Sequence, residues 1–124
     1  MRLRIITMLF YCTAVTAYAD KLDFKTVLGM AHETEKSLSK NQAQELLSSQ
    51  SKIMNKAMPF CFNKVGIPAN FSIVVQINEK GKIVGSWLNN EMPFTLCFKS
   101  VMINSMTYLP VVQPFFTAIE YTNK

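Results

Sequence analysis

The sequence predicts an α+β fold: N-terminal helices, then a β-hairpin, a further helix and a final strand, forming a small three-stranded antiparallel sheet. Three observations predict it. Apolar residues repeat at helical spacing as far as Met58, the period changes to two after Gly66-Ile67-Pro68, and an apolar segment opened by Pro93 precedes a closing run of β-formers. The 124 residues allow one compact domain once a targeting segment is set aside. With 49% hydrophobic and 17% charged residues the chain is too apolar to be disordered.

The chain opens on the basic Met1-Arg2-Leu3-Arg4, continues through the apolar run Ile5 to Tyr11, and reaches the small-residue ending Ala17-Tyr18-Ala19. That is the layout of a signal peptide spanning 1–19 and cleaved after Ala19. A retained anchor would need about 20 apolar residues. Leu9-Phe10-Tyr11 is too bulky before Cys12 for lipoprotein processing. Cleavage removes Arg2 and Arg4 and leaves eleven Lys against eight acids, so the net charge falls from +5 to +3. The lysines are scattered and no arginine remains to grip phosphate in two-pronged fashion, which argues against nucleic acid as a partner. No later apolar run reaches about 18 residues, so stable membrane insertion of the mature chain is not expected.

Asp23 suits the cap of a first helix whose apolar residues Phe24, Val27, Leu28 and Ala31 share a face and which frays near Ser37. Ser39-Lys40-Asn41-Gln42 has the form of a capping box, with Leu38 and Ala43 placed as a hydrophobic staple. The helix it opens carries Leu46, Leu47, Ile53, Met54, Ala57 and Met58 on one side, and Pro59 favours a break. This divides the mature chain into a helical segment, 20–58, packed on a domain formed by 59–124. Phe71, Ile73, Val75 and Ile77 alternate with Ser72, Val74, Gln76 and Asn78, which predicts a strand with the first four buried. Asn78-Glu79-Lys80-Gly81 is a turn composition, and Lys82 to Leu88 returns as the second arm of the hairpin. Pro93 starts a helix to about Thr107 with Phe94, Cys97, Phe98 and Val101 on one side. Pro110 and Pro114 bracket a linker, and Phe115 to Thr122 forms the third strand. That strand pairs beside either hairpin strand, with the helices on one face of the sheet.

The chemistry available is narrow. A single histidine, His32, excludes a multi-histidine zinc site and leaves one imidazole at most for a Ser/His/Asp triad or a Cys/His dyad, neither of which is assigned. Glu79, Glu91 and Glu120 fall in a turn, a helix start and a strand and make no general acid/base pair. Met30, Met54, Met58, Met92, Met102 and Met106 read as core packing rather than as a soft copper site. His32, Glu33 and Glu35 cannot all share one helix face, so they read as solvated surface. No catalytic residue, metal or cofactor is therefore assigned. Cys61 and Cys97, the pair left after processing, are expected to form a disulfide in an oxidising compartment; closing the 35 intervening residues contributes roughly 3 to 4 kcal/mol. Trp87, Phe115, Phe116, Thr117, Ile119 and Tyr121 leave two readings open. Either they divide between core and scattered surface, or their outward members form an anchor patch for a protein partner.

The hairpin Phe71-Ser72-Ile73-Val74-Val75-Gln76-Ile77-Asn78-Glu79-Lys80-Gly81-Lys82-Ile83-Val84, the helix ending Met106-Thr107-Tyr108-Leu109-Pro110 and the aromatic closing strand follow one another in a particular order. From about Pro59 to the end, that order resembles the C-terminal domain of the TonB and TolA family of periplasmic proteins. The resemblance implies a non-catalytic adaptor whose edge strand, here Phe115 to Tyr121, accepts an extended segment of a periplasmic protein partner. It also matches a subset of that family with one cysteine before the first strand and another in the helix. The cleavable signal and the lack of a long Pro-rich arm depart from the energy-transducing members. The expected function is a periplasmic protein-binding module, in its most economical form an immunity protein that neutralises a periplasmic toxin or a secretion-system effector such as a type VI effector. An adaptor in an envelope transport, TonB/Tol-like or secretion machine is the alternative. A small metal- or ligand-binding periplasmic protein using His32 and the methionines is the alternative from another class. Oligomeric state stays open.

Overall fold

The computed structural model describes residues 22–123; the expected signal segment, its expected cleavage site and Cys12 lie outside the described residues. The elements in chain order are α1 (Phe24–Lys36), α2 (Lys40–Val65), β1 (Phe71–Ile77), β2 (Ile83–Leu88), α3 (Pro93–Ser105) and β3 (Phe115–Tyr121). The fold is α+β, with three helices and a three-stranded antiparallel sheet of order β2-β1-β3.

Both N-terminal helices start where their caps require. The Thr26 backbone N–H donates to Asp23 Oδ1 at 2.8 Å, and Ser39 and Gln42 form the reciprocal capping box. The expected break at Pro59 does not occur: α2 runs unbroken to Val65. Proline there removes one backbone donor and costs about 3 kcal/mol in an isolated helix. Two features hold the chain on either side of it. Ala57 and Cys61 are buried in one stripe, and Cys61 is bonded to Cys97 of α3 with the Cα atoms 5.8 Å apart. The disulfide is compatible with an oxidising compartment. Because α2 crosses position 59, the residues before and after it share one helix and one core, which joins Leu46 and Ile53 to Phe71, Phe98 and Phe115.

Register decides which residues share a face. In β1, Ile73 lies opposite both Leu88 and Ile119, and Val75 lies opposite Ser86 and Thr117. This face carries Phe71, Ile73, Val75 and Ile77 and is covered by α2 and α3. Phe71 stands at one end of this face, with the Phe98, Tyr121 and Phe94 rings around it at 5.0, 5.5 and 5.8 Å. The opposite face is covered too. Val74 and Phe116 are buried there against Val27 and Ala31 of α1, with Trp87 and Ala118 beside them. The sequence predicts helices on one face only and Val74 among the residues that alternate with the buried ones; the structure corrects both. Val74 is an apolar residue at an outward position of β1, and the Val27/Ala31 stripe of α1 is what buries it. The result is three layers: α1, the sheet, then α2 with α3. Ser37, Leu38 and Ser39 take the chain from one face to the other around the outer side of β3, and Leu38 packs into the larger core.

The hairpin turn is closed by Asn78, whose Oδ1 accepts from the Lys80 and Lys82 backbone N–H groups at 3.0 Å each. Gly81 adopts φ +79, and a Cβ there would stand 2.9 Å from the Tyr108 carbonyl oxygen, so only glycine fits. The pairing then slips by one residue: Gln76 lies opposite Gly85 but Ile77 opposite Ile83, which leaves Val84 as the extra residue of a bulge. Among the described residues no helix is long and apolar enough to cross a membrane.

Candidate functional site

A three-stranded sheet has two outer edges, and this molecule treats them differently. The alternation of an antiparallel ladder fixes which main-chain groups point outward. The Asn89 N–H donates to the Ser72 carbonyl, so Ser72 and Asn89 form a bonded pair. Counting along the register, Trp87 and Gly85 turn their main-chain groups toward β1, while Ser86 and Leu88 turn theirs outward. By the same alternation Phe116, Ala118 and Glu120 present the outer groups of β3.

At β3 the central outer groups are already engaged. Ala118 N–H donates to Glu35 Oε2 at 3.1 Å, and the Ala118 carbonyl accepts from Gln50 Nε2 at 3.3 Å. Thr117 completes the arrangement: its hydroxyl donates to the same Glu35 oxygen at 2.6 Å and accepts from Gln50 Nε2 at 2.8 Å. Glu35 comes from the last turn of α1 and Gln50 from α2, so helices on opposite faces close on the strand from both sides. A carboxylate accepting two donors beside a neighbouring amide is a charge-assisted network, stronger than ordinary strand-edge solvation. His32 reaches the same strand from α1, with Nε2 3.7 Å from Glu120 Oε2.

At β2 the arrangement is open. Among the described residues no side chain or backbone group bonds the outward groups of Ser86 or Leu88. Val84 on the bulge is 58% exposed, and Leu88 is half-buried. Trp87 faces the α1 side, 5.9 Å from the Phe116 ring, with its Nε1 donating to the Leu22 carbonyl at 3.1 Å.

These positions can be set against the residues the sequence singled out. Phe115, Phe116, Thr117 and Ile119 are all buried, so β3 presents neither face broadly, and only Trp87 and Tyr121 are half-buried. The strand is packed on both sides because α1 and α2 both cover it. Cys61 and Cys97 form the disulfide. Among the described residues no group of three or more His, Cys, Asp or Glu is placed to hold a metal ion. Sequence reasoning missed Glu35 and Gln50, the residues that close β3. One signal was present: Thr117 is the polar residue in the apolar run Phe115 to Ile119, and a buried hydroxyl requires a partner. No family model matches the chain, and neither a curated protein nor a solved structure matches it.

Proposed function

We propose that this chain is an exported, non-catalytic protein-binding module that offers the outer edge of β2 to an extended segment of a protein partner. The observation that carries the reading is the contrast at the edges: Ala118, at the centre of β3, is bonded by Glu35 and Gln50, whereas among the described residues nothing bonds the outward main-chain groups of Ser86 and Leu88 of β2, beside the exposed Val84. Strand addition uses such groups for affinity and alternate side chains for selection. The bulge at Val84 limits the usable stretch to Ser86 through Leu88, so main-chain pairing offers up to four hydrogen bonds of about 0.5–1.5 kcal/mol each. Side-chain contacts at Val84 and Leu88 supply the remainder. The disulfide supports an oxidising compartment, and the periplasm is the compartment we assign. Occlusion of a partner's working surface, as an immunity protein does to a toxin, needs no machinery beyond such an edge.

The test is capture of partners from an envelope extract by the processed chain, compared with Ser86→Pro, which deletes an outward N–H, and Val84→Lys, which places a charge on the edge. One stoichiometric protein retained by the parent and lost with both variants, each folded by circular dichroism, is the expected result. A partner retained equally by both variants removes the β2 edge from the mechanism. Absence of any retained protein removes the binding-module reading itself.

A further inference from the structure

Away from both edges, α2 and α3 enclose a groove whose charge is unbalanced. One hollow of about 380 Å³ is lined by Lys56, Phe60 and Lys64 on the α2 side and by Ser100, Val101 and Asn104 on the α3 side. A second, of about 270 Å³, continues over α3 between Leu96, Lys99 and Ile103 and shares Ser100 and Asn104 with the first. Phe60 is 53% exposed, and Leu96 and Ile103 are exposed as well, so the groove presents apolar surface to solvent. The sequence of its walls contains no acid. From Ser51 to Val65 and from Pro93 to Ser105 there are four lysines, at 52, 56, 64 and 99, and neither Asp nor Glu. Lys56 donates to Ser105 Oγ at 2.9 Å and Lys64 stands 5.7 Å from the centre of the Phe60 ring, so among the described residues neither is neutralised by a carboxylate. Of the acids among the described residues, Asp23, Glu33 and Glu35 lie in or beside α1, Glu120 on β3 and Glu79 in the hairpin turn, while Glu45 near the start of α2 and Glu91 just before α3 lie outside the stretches that wall the groove.

We infer that the α2–α3 groove receives an acidic, amphipathic helical segment of the protein partner. The inference rests on the protein-binding reading above and adds a second contact surface with a defined chemistry. Lys56 and Lys64 are eight residues apart on one helix, about 12 Å along its axis. Acids at positions i and i+7 of an incoming helix are about 10 Å apart on one face and match that spacing. Apolar residues at i+3 and i+4 then lie between them, over Phe60. A concave channel between two helices suits a helix laid into it; a flat lipid surface would not reach its floor. The cationic walls also raise the encounter rate with an acidic partner and disfavour basic ones.

The probe is a fluorescein-labelled 16-residue helical peptide with Glu at i and i+7 and Leu at i+3 and i+4, titrated in about 0.15 M salt, where exposed pairs beyond roughly 8 Å are screened. A matched peptide with Lys at i and i+7, and vesicles of phosphatidylglycerol with phosphatidylcholine, are the comparisons. Binding of the acidic peptide, with roughly tenfold loss in Lys56→Glu/Lys64→Glu and no change in Val84→Lys, is the expected outcome. Equal binding of the Lys peptide, or an acidic peptide indifferent to the lysine reversal, overturns the proposal. Vesicle binding that depends on Lys56 and Lys64 without peptide binding overturns it in favour of a lipid surface. A captured native partner lost with Ser86→Pro but indifferent to the lysine reversal also overturns it, while leaving the module reading standing. Phe60→Ser, a surface change, checks the apolar contribution in protein whose lysines are intact.

Discussion

The flank of the sheet bounded by β3 is strapped, and the flank bounded by β2 is not. On the β3 side the α1–α2 connection passes around the strand, and Glu35 and Gln50 occupy the main-chain groups of Ala118 from two directions. On the β2 side the strand is six residues long, bulged at Val84, and touched from the α1 layer through Trp87. An unprotected edge is a hazard that proteins commonly blunt. Here the same chain engages the centre of one edge, at Ala118, with an ordered polar network and has no such network on the other among the described residues. The difference teaches that helix placement, rather than strand composition, decides which edge of a small sheet stays available. β3 is the more apolar and aromatic strand, and it is the one withdrawn.

The largest expected effect comes from the bond that holds the α2–α3 layer under both flanks. Replacing Cys61 and Cys97 together by alanine opens a loop of sequence separation 36, for which the chain-entropy model gives about 4 kcal/mol. Amide exchange should then rise in β2 and β3 alike, and the denaturation midpoint should fall accordingly. A loss confined to one flank would mean that the two flanks fold as separate units and would break the comparison.

Glu35→Ala should act on one flank. It leaves the Ala118 N–H and the Thr117 hydroxyl without their acceptor in a half-buried setting, at an expected cost of about 1–3 kcal/mol. Exchange of the Ala118 amide should accelerate while that of Ser86 stays unchanged, and Glu35→Gln, which keeps an acceptor oxygen, should lose less. Partner capture should survive Glu35→Ala in folded protein. If capture instead falls as it does in Val84→Lys, the strapped edge belongs to the binding surface and the assignment of roles to the two flanks is wrong.

Much of this architecture was legible from pattern alone, because local chemistry fixed it. Asp23 and Ser39 announced their helices through caps, the alternation Phe71 to Ile77 announced β1, and the cysteine count announced the bond between α2 and α3. The rest depended on contacts distant in sequence. Pro59 carries a local signal to stop, and the burial of Cys61 against α3 outweighs it. Val74 was set with the polar residues by period two, since nothing local says that α1 will return over that face. Glu35 illustrates the same limit at the candidate site. Beside His32 and Glu33 it looks like solvated helix surface, and its role appears once Thr117, 82 residues away, is brought to it. Period and capping report which side of an element is apolar; they are silent on how many layers a sheet will carry.

The smallest effect expected concerns how α1 closes over Trp87, the chain's single tryptophan and the residue through which the open flank meets the α1 layer. Leu22, which accepts the Trp87 Nε1–H, is one residue from the cap Asp23. Hydrogen bonding from Thr26, through its side chain and then its backbone N–H, holds the Asp23 carboxyl below its ordinary value of 3.8. A carboxylate whose folded-state pKa is depressed stabilises the fold above its unfolded pKa, and that stabilisation is lost as pH falls through the folded value. The cap is therefore fully engaged at neutral pH and released only in acid below 3.8. Trp87 emission in the parent should shift toward that of solvated indole as pH drops through that range, whereas Asp23→Ala should already show part of the shift at neutral pH and lack the acid step. An unchanged acid step in Asp23→Ala would place the titration elsewhere and would show that the start of α1 is held on the β2 flank by Leu22 and Phe24 packing rather than by its cap.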